Sequence, residues 1–188
     1  MRITGGLARG ITLVTPKGDA TRPATDGMRE AVFSSLGSRI DDAQFLDLFA
    51  GSGAYGLEAL SRGASSGIWV EKNGRAAGCI KKNIEAVSKS LKRDLSDSNV
   101  VTSDALTLPW SKPVLPDLVF IDPPYEIIPQ VSQRLFSGLA QLLASHEDPW
   151  IVFEMPGEIE LAPEGWVMVK RLGKGARQPS VGFFCRAT

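Results

Sequence analysis

Apolar positions change period along this chain, and the change divides it into a front segment and an alternating body. In residues 1–14, MRITGGLARGITLV, short apolar stretches flank glycines, which predicts two short strands. TPKGDATRP then reads as a loop. In TDGMREAVFSSLGSRI, Met28, Ala31, Val32 and Leu36 recur at helical spacing, with Thr25 or Asp26 as N-cap and Gly37 near the end.

From Gln44 onward, strand and helix patterns alternate. FLDLF (Phe45 to Phe49) is a short apolar run, and a glycine turn leads from it into AYGLEALSRG, where Leu57 and Leu60 share a helical face. GIWVE (Gly67 to Glu71) is a second strand. Ala76, Ile80, Ile84, Val87 and Leu91 then mark a long amphipathic helix with Lys81, Lys82 and Lys89 off that face. NVVTSDA and DLVFID supply a third and fourth strand, Val131 to Ala144 a helix, and WIVFEM a fifth strand. GWVMVKRLG and SVGFFCRA suit a closing hairpin. Repeated βαβ alternation predicts an α/β fold with a mostly parallel sheet, helices on both faces and an antiparallel C-terminal hairpin. Residues 1–39 are expected to form an extension of hairpin plus helix, and residues 40–188 the main domain. In such sheets the functional residues lie at the carboxyl ends of the strands.

Composition narrows the class. A chain of 188 residues suits one domain, and 43% apolar with 22% charged residues is ordinary for a soluble protein. Neither a secretory h-region nor a membrane-length apolar run occurs, so a cytoplasmic, membrane-free and monomeric protein is expected. Cys79 and Cys185 lack CxxC spacing and read as buried thiols, and no metal site is expected. His146, the single histidine, sits in the loop-like SHEDPW and has no second member for a triad. The net charge is zero, yet it is unevenly placed: +3 over residues 1–39, −8 over 40–165 and +5 over 166–188. Brought to one side, the basic ends make a surface for a phosphate backbone. The alternative is two solvated basic segments.

Two motifs carry chemistry. Gly51, Ser52, Gly53, Ala54, Tyr55 and Gly56 form GxGxxG between a strand and a helix, and Glu71 ends the next strand. That spacing fits a nucleotide-binding turn, in which the helix N-terminus draws an anion and the acid accepts from ribose hydroxyls; a purely structural turn is the other reading. Asp47, near the end of the first strand, disfavours a pyrophosphate and favours S-adenosylmethionine, with its ammonium and sulfonium. Asp104 in SDAL either accepts from an adenine amino group or caps a turn. The second motif is Asp122, Pro123, Pro124 and Tyr125, which ends the fourth strand. An exocyclic amine is a poor nucleophile, and acceptors aimed at its two hydrogens favour the pyramidal nitrogen of attack. The Asp122 carboxylate and the Pro123 carbonyl form such a pair, the prolines removing competing donors, and Tyr125 stacks on the base. An X-Pro-Pro stop after a core strand is the structural alternative.

These residues resemble the amino-methylating S-adenosylmethionine-dependent methyltransferases, with a DxFxGxG turn and a D/N-PP-Y/F strand end. Over nearly its full length the chain is similar to the RsmD family: RITGGLARG, RPATDGMREAVFSSL, DLFAGSGAYGLEALSRGA, VEKN and FIDPPY follow that family's order. The resemblance implies a Rossmann-like class I methyltransferase fold with a seven-stranded, mostly parallel sheet. It implies methylation of a guanine N2 amino group in small-subunit (16S) ribosomal RNA, as an assembled or partly assembled 30S particle. By position, Asp47, Phe49, Gly51, Gly53, Glu71, Lys72, Asp104 and Ala105 would hold S-adenosylmethionine, and Asp122 to Tyr125 the guanine. Arg2, Arg9, Arg22 and Arg29 would meet RNA, although Arg29 equally suits a helix surface charge. Ala24 and Gly27 stand where the family more often has a hydroxyl and a basic residue. Rival readings are an amino-methyltransferase of DNA bases or a protein glutamine amide, a nicotinamide-dependent oxidoreductase, and a non-catalytic RNA-binding protein.

Overall fold

The computed structural model describes residues 1–16, 25–107, 115–173, 175 and 178–187; Arg22 and Ala24 lie outside them. The elements in chain order are α1 (Asp26–Leu36), β1 (Gln44–Leu48), α2 (Ala54–Ser61), β2 (Ser66–Val70), α3 (Gly74–Leu91) and β3 (Asn99–Val101). They continue with β4 (Leu118–Ile121), α4 (Ile128–Leu142), β5 (Trp150–Pro156), β6 (Trp166–Leu172) and β7 (Pro179–Arg186). Seven strands make one sheet in the order β3-β2-β1-β4-β5-β7-β6. The first five strands in the chain pair in parallel, and β7 runs antiparallel between β5 and β6. Strand order reverses between β1 and β4, so a crevice opens there beyond the carboxyl ends.

Both faces of the central strands are covered, which is why β1 and β4 read as apolar runs rather than as alternations. Phe45, Trp69, Phe120 and Phe183 face one core, shared with α1, α2, α3 and the front segment. Leu48, Val70, Ile121 and Phe153 face the other, under α4. Phe45 meets Trp69 edge to face at 5.0 Å, and Phe136 of α4 stacks on Phe153 at 5.7 Å. Asn73 caps α3 by accepting from the Arg75 and Ala76 amides, and Lys81, Lys82 and Lys89 stay exposed as the periodicity requires.

Several local expectations shift. The two front strands reduce to a single Arg2–Thr12 bridge, because the Thr4 and Gly5 amides donate to the Glu58 carboxylate instead of to a partner strand. Ile3, Ala8 and Leu13 are buried in the same core as the sheet, so the front segment is knitted into α2. On α1, Arg29 and Phe33 join Val32 and Leu36 on the buried face while Ala31 is exposed. Helix α4 begins at Ile128 rather than Val131, with Pro129 in its first turn, where a missing amide costs nothing. Strand β3 ends at Val101, short of Asp104. Among the described residues, no helix is long and apolar enough to cross a membrane.

Candidate active site

The turn after β1 is held by side chains from β1, the end of β2 and α3. Phe49, Gly51 and Gly53 have φ of 58°, 54° and 80°, left-handed values that are uncommon for a bulky residue such as Phe49. At Gly56 an added Cβ would lie 2.4 Å from both the Phe45 ring and the Trp69 indole, so only glycine lets α2 approach the sheet this closely. Glu71 Oε2 accepts from the Gly51 amide at 2.8 Å, and Asp47 Oδ2 accepts from the Gly56 amide at 3.0 Å. Asn83 Nδ2, from α3, donates to the Ser52 carbonyl at 3.0 Å and to the Val14 carbonyl at 3.0 Å, which ties the front segment to the turn.

Across the switch point lies the end of β4. The Asp122 amide donates to the Leu48 carbonyl at 3.4 Å, extending the β1–β4 ladder by one bond. Pro123 is buried, and Pro124 (φ −53°, ψ 132°) starts a 3-10 turn, Tyr125–Ile127, closed by the Ile127 amide donating to the Pro124 carbonyl. Among the described residues, no donor is bonded to the Pro123 carbonyl. The Tyr125 hydroxyl donates to Glu154 Oε1 of β5 at 3.3 Å, and the Tyr55 hydroxyl of α2 donates to Glu154 Oε2 at 3.1 Å. A rigid turn thus places a carboxylate, a carbonyl and a half-buried ring side by side.

Carboxyl groups crowd around this crevice. Burial pushes the Asp47 carboxyl up to about 8, with Glu71 adding to the rise and the Gly56 amide opposing it. Asp122 is pushed well above the usual carboxylate range, first by burial and then by Glu154 and Asp47. Burial also raises Glu154, against the two tyrosine hydroxyls and the charge of Arg29. Acids raised in this way are relieved by a cation placed among them, and an added pyrophosphate would be repelled.

Asp47, Phe49, Gly51, Gly53, Glu71, Asp122, Pro123, Pro124 and Tyr125 therefore gather at the carboxyl ends of β1, β2 and β4. Asp104 caps a 3-10 turn, Ala105–Thr107, by accepting from the Leu106 amide at 2.9 Å; Ala105 is buried beneath it and Lys72 is exposed. Arg2 and Arg9 are exposed. Arg29 is not available for RNA or for a helix surface: it is fully buried, donating to the Arg2 carbonyl at 2.6 Å and to Asp26 at 2.8 Å, with Glu58 at 3.8 Å. His146 lies beyond the amino ends of the strands, 3.0 Å from Asp117, and so takes no part in the site. Glu154 escaped the motif reading. Its one signal is an acid inside the apolar run WIVFEM, a setting in which a carboxylate must be paired.

Comparison with known proteins agrees with this fold. The model of the family described as "Conserved hypothetical protein 95" matches residues 1–181. Ribosomal RNA small subunit methyltransferase D of Haemophilus influenzae is 31% identical, over 93% of this chain and 89% of that protein. Its Escherichia coli namesake is 39% identical, over 66% of this chain and 60% of that protein. The solved structure of Escherichia coli yhhF superposes with a TM-score of 0.76 at 33% identity, covering 99% of this chain and 97% of that one. The chain belongs to the conserved hypothetical protein 95 family, the RsmD-like methyltransferases.

Proposed function

We propose that this protein transfers a methyl group from S-adenosylmethionine to the exocyclic N2 amino group of a guanine in small-subunit ribosomal RNA. The observation that carries the chemistry is the rigid Asp122–Tyr125 turn beside a glycine turn flanked by Asp47 and Glu71. The names of the relatives support ribosomal RNA as the substrate class. The basic termini and the exposed Arg2 and Arg9 suit a phosphate backbone, and residues 1–39 supply part of that surface.

The raised acids around the turn fit a cationic cofactor. Asp47, Phe49, Gly51, Gly53, Glu71, Lys72, Asp104 and Ala105 would hold it. When bound, S-adenosylmethionine would supply an electrophilic methyl carbon, with a neutral thioether as the leaving group. Asp122 and the Pro123 carbonyl accept from the two amine hydrogens, localising the lone pair on nitrogen and aiming it. The proton shed by the methylated amine passes to Asp122, whose raised affinity for protons suits an acceptor. Tyr125 stacks on the guanine, which must leave its helix to reach so recessed a turn.

The test is transfer of labelled methyl to small-subunit particles and to naked ribosomal RNA. Asp122→Ala is expected to lower the rate by about a thousandfold or more while thermal stability and cofactor binding persist. A wild-type protein that binds cofactor but labels neither substrate refutes the proposal. Labelling of DNA or of a peptide glutamine in their place moves the reading to those amines.

A further inference from the structure

Glu154 is an acid that the reaction outlined above does not use, and its surroundings are unusual for a core position. It sits inside β5, 2% exposed, flanked by the buried Phe153 and Met155. The register that pairs Ile121 with Phe153 brings Glu154 opposite Asp122, one residue past the ladder. Packing alone would be served by an apolar residue, since an acid must lose its hydration here. Each carboxylate oxygen is instead committed to a different tyrosine: Oε2 accepts from Tyr55 at 3.1 Å and Oε1 from Tyr125 at 3.3 Å.

The two tyrosines differ in kind. Tyr55 belongs to the first turn of α2, directly after the glycine turn; it is 6% exposed and its ring stacks on Phe120 of β4 at 5.4 Å. It is an anchor. Tyr125 is half-buried on the short turn that follows Pro124, its ring packed against the core under α4, and the hydroxyl bond to Glu154 fixes the outer, polar end of that ring.

We propose that Glu154 is a positioning residue: its carboxylate clamps the Tyr125 hydroxyl to the anchored Tyr55, fixing the ring on which the target base stacks. The role rests on the amino-methylation reading and extends it, because it makes the angle of the stacking platform depend on a residue outside the Asp-Pro-Pro-Tyr motif. It also joins the platform to the helix that begins at the cofactor turn, so that base and methyl donor are placed by one rigid unit. Misplacing the base by an ångström is costly in a displacement that needs collinear atoms.

Glu154 has an electrical effect as well. The charged and titratable groups facing it are Tyr55 from α2, Tyr125 and Asp122 from the end of β4, and Arg29 from α1; Asp47 of β1 bears on Asp122 in turn. From β7, the residue paired with Glu154 is Val181, which carries no charge. Glu154 adds to the upward shift at Asp122, so neutralising it lets Asp122 ionise at lower pH.

The experiment compares wild type, Glu154→Gln, Tyr125→Phe and the double variant in labelled methyl transfer, with cofactor affinity and pH–rate profiles measured in parallel. Glu154→Gln is expected to lower kcat by about ten- to a hundredfold with cofactor Kd unchanged, and to move the acidic limb of the profile to lower pH. Tyr125→Phe keeps the ring and loses the clamp, so it should lower kcat similarly without moving that limb. The double variant should be no slower than Glu154→Gln, because both remove the same contact. Tyr125 is half-buried and the change removes one oxygen, so this arm decides the matter even where Glu154→Gln does not fold. Wild-type kcat in Tyr125→Phe, or additive losses in the double variant, overturns the clamp. An inactive wild type overturns the methylation reading itself, and the role built on it.

Discussion

The two ends of the sheet both collect acids, and they treat them in opposite ways. Beyond the amino ends, Asp41, Asp42, Asp117, Glu147 and Asp148 surround an open cavity of about 420 Å³ with Arg39 and His146. There Asp148 is 61% exposed and is held below its ordinary range chiefly by a hydrogen bond from Arg39, which also lies over the Trp150 ring at 4.1 Å. Asp117 accepts from the Gln44 amide and from His146. At the carboxyl ends, Asp47 and Glu154 are drawn inside with Asp122 half-buried beside them, all three are pushed upward, and Arg29 is the cation that offsets the rise at Glu154. Acidity alone therefore does not mark a site. What distinguishes the carboxyl end is that its acids are buried with Arg29 as their one offsetting cation among the causes of their shifts, a state that costs folding energy.

That contrast breaks in a definite order. Arg29→Ala removes a buried cation from Asp26, Glu58 and the Arg2 carbonyl together, and is expected to destabilise the fold by about 3–5 kcal/mol in urea unfolding. A loss typical of a surface arginine would show that the guanidinium is not holding the front segment to α2.

Asp47→Asn tests the buried acids through pH. The Asp47 carboxyl is raised from 3.8 to about 8, so between those values the folded chain holds a proton that the unfolded chain has released. Its contribution to stability is complete below the lower value and is lost as pH rises through the upper one. The wild-type urea midpoint should therefore fall as pH rises from about 4 to about 8 and level off above, and Asp47→Asn should flatten that fall. An unchanged slope would place the titration elsewhere.

Asp148→Asn probes the other end and should do least. An exposed pair with Arg39 is worth less than about 1 kcal/mol, and methyl transfer should be unaltered. A large effect on transfer would make the amino-end cavity part of the function.

Local periodicity carried much of the architecture. The runs around Phe45, Ile68, Phe120 and Phe153 are apolar because parallel strands covered on both faces leave no polar side, and that pattern is visible without coordinates. GxGxxG and Asp-Pro-Pro-Tyr were equally legible, since each gathers its chemistry within a few consecutive residues. Where backbone donors were claimed by distant side chains, the reading slipped. Glu58 took the amides of Thr4 and Gly5, so the front hairpin kept only one bridge. Arg29 read equally as an RNA contact or a helix surface charge until Glu58, Asp26 and the Arg2 carbonyl gave it partners inside.

By itself, then, the sequence determined the order of strands and helices and the two short motifs, because hydrophobic period and turn chemistry act over a few residues. Only the tertiary structure decided which acids share the crevice, which cation is interior, and that Glu154 reaches both Tyr55 and Tyr125. Those contacts join residues 29 and 99 positions apart, and their strength depends on the water that folding removes.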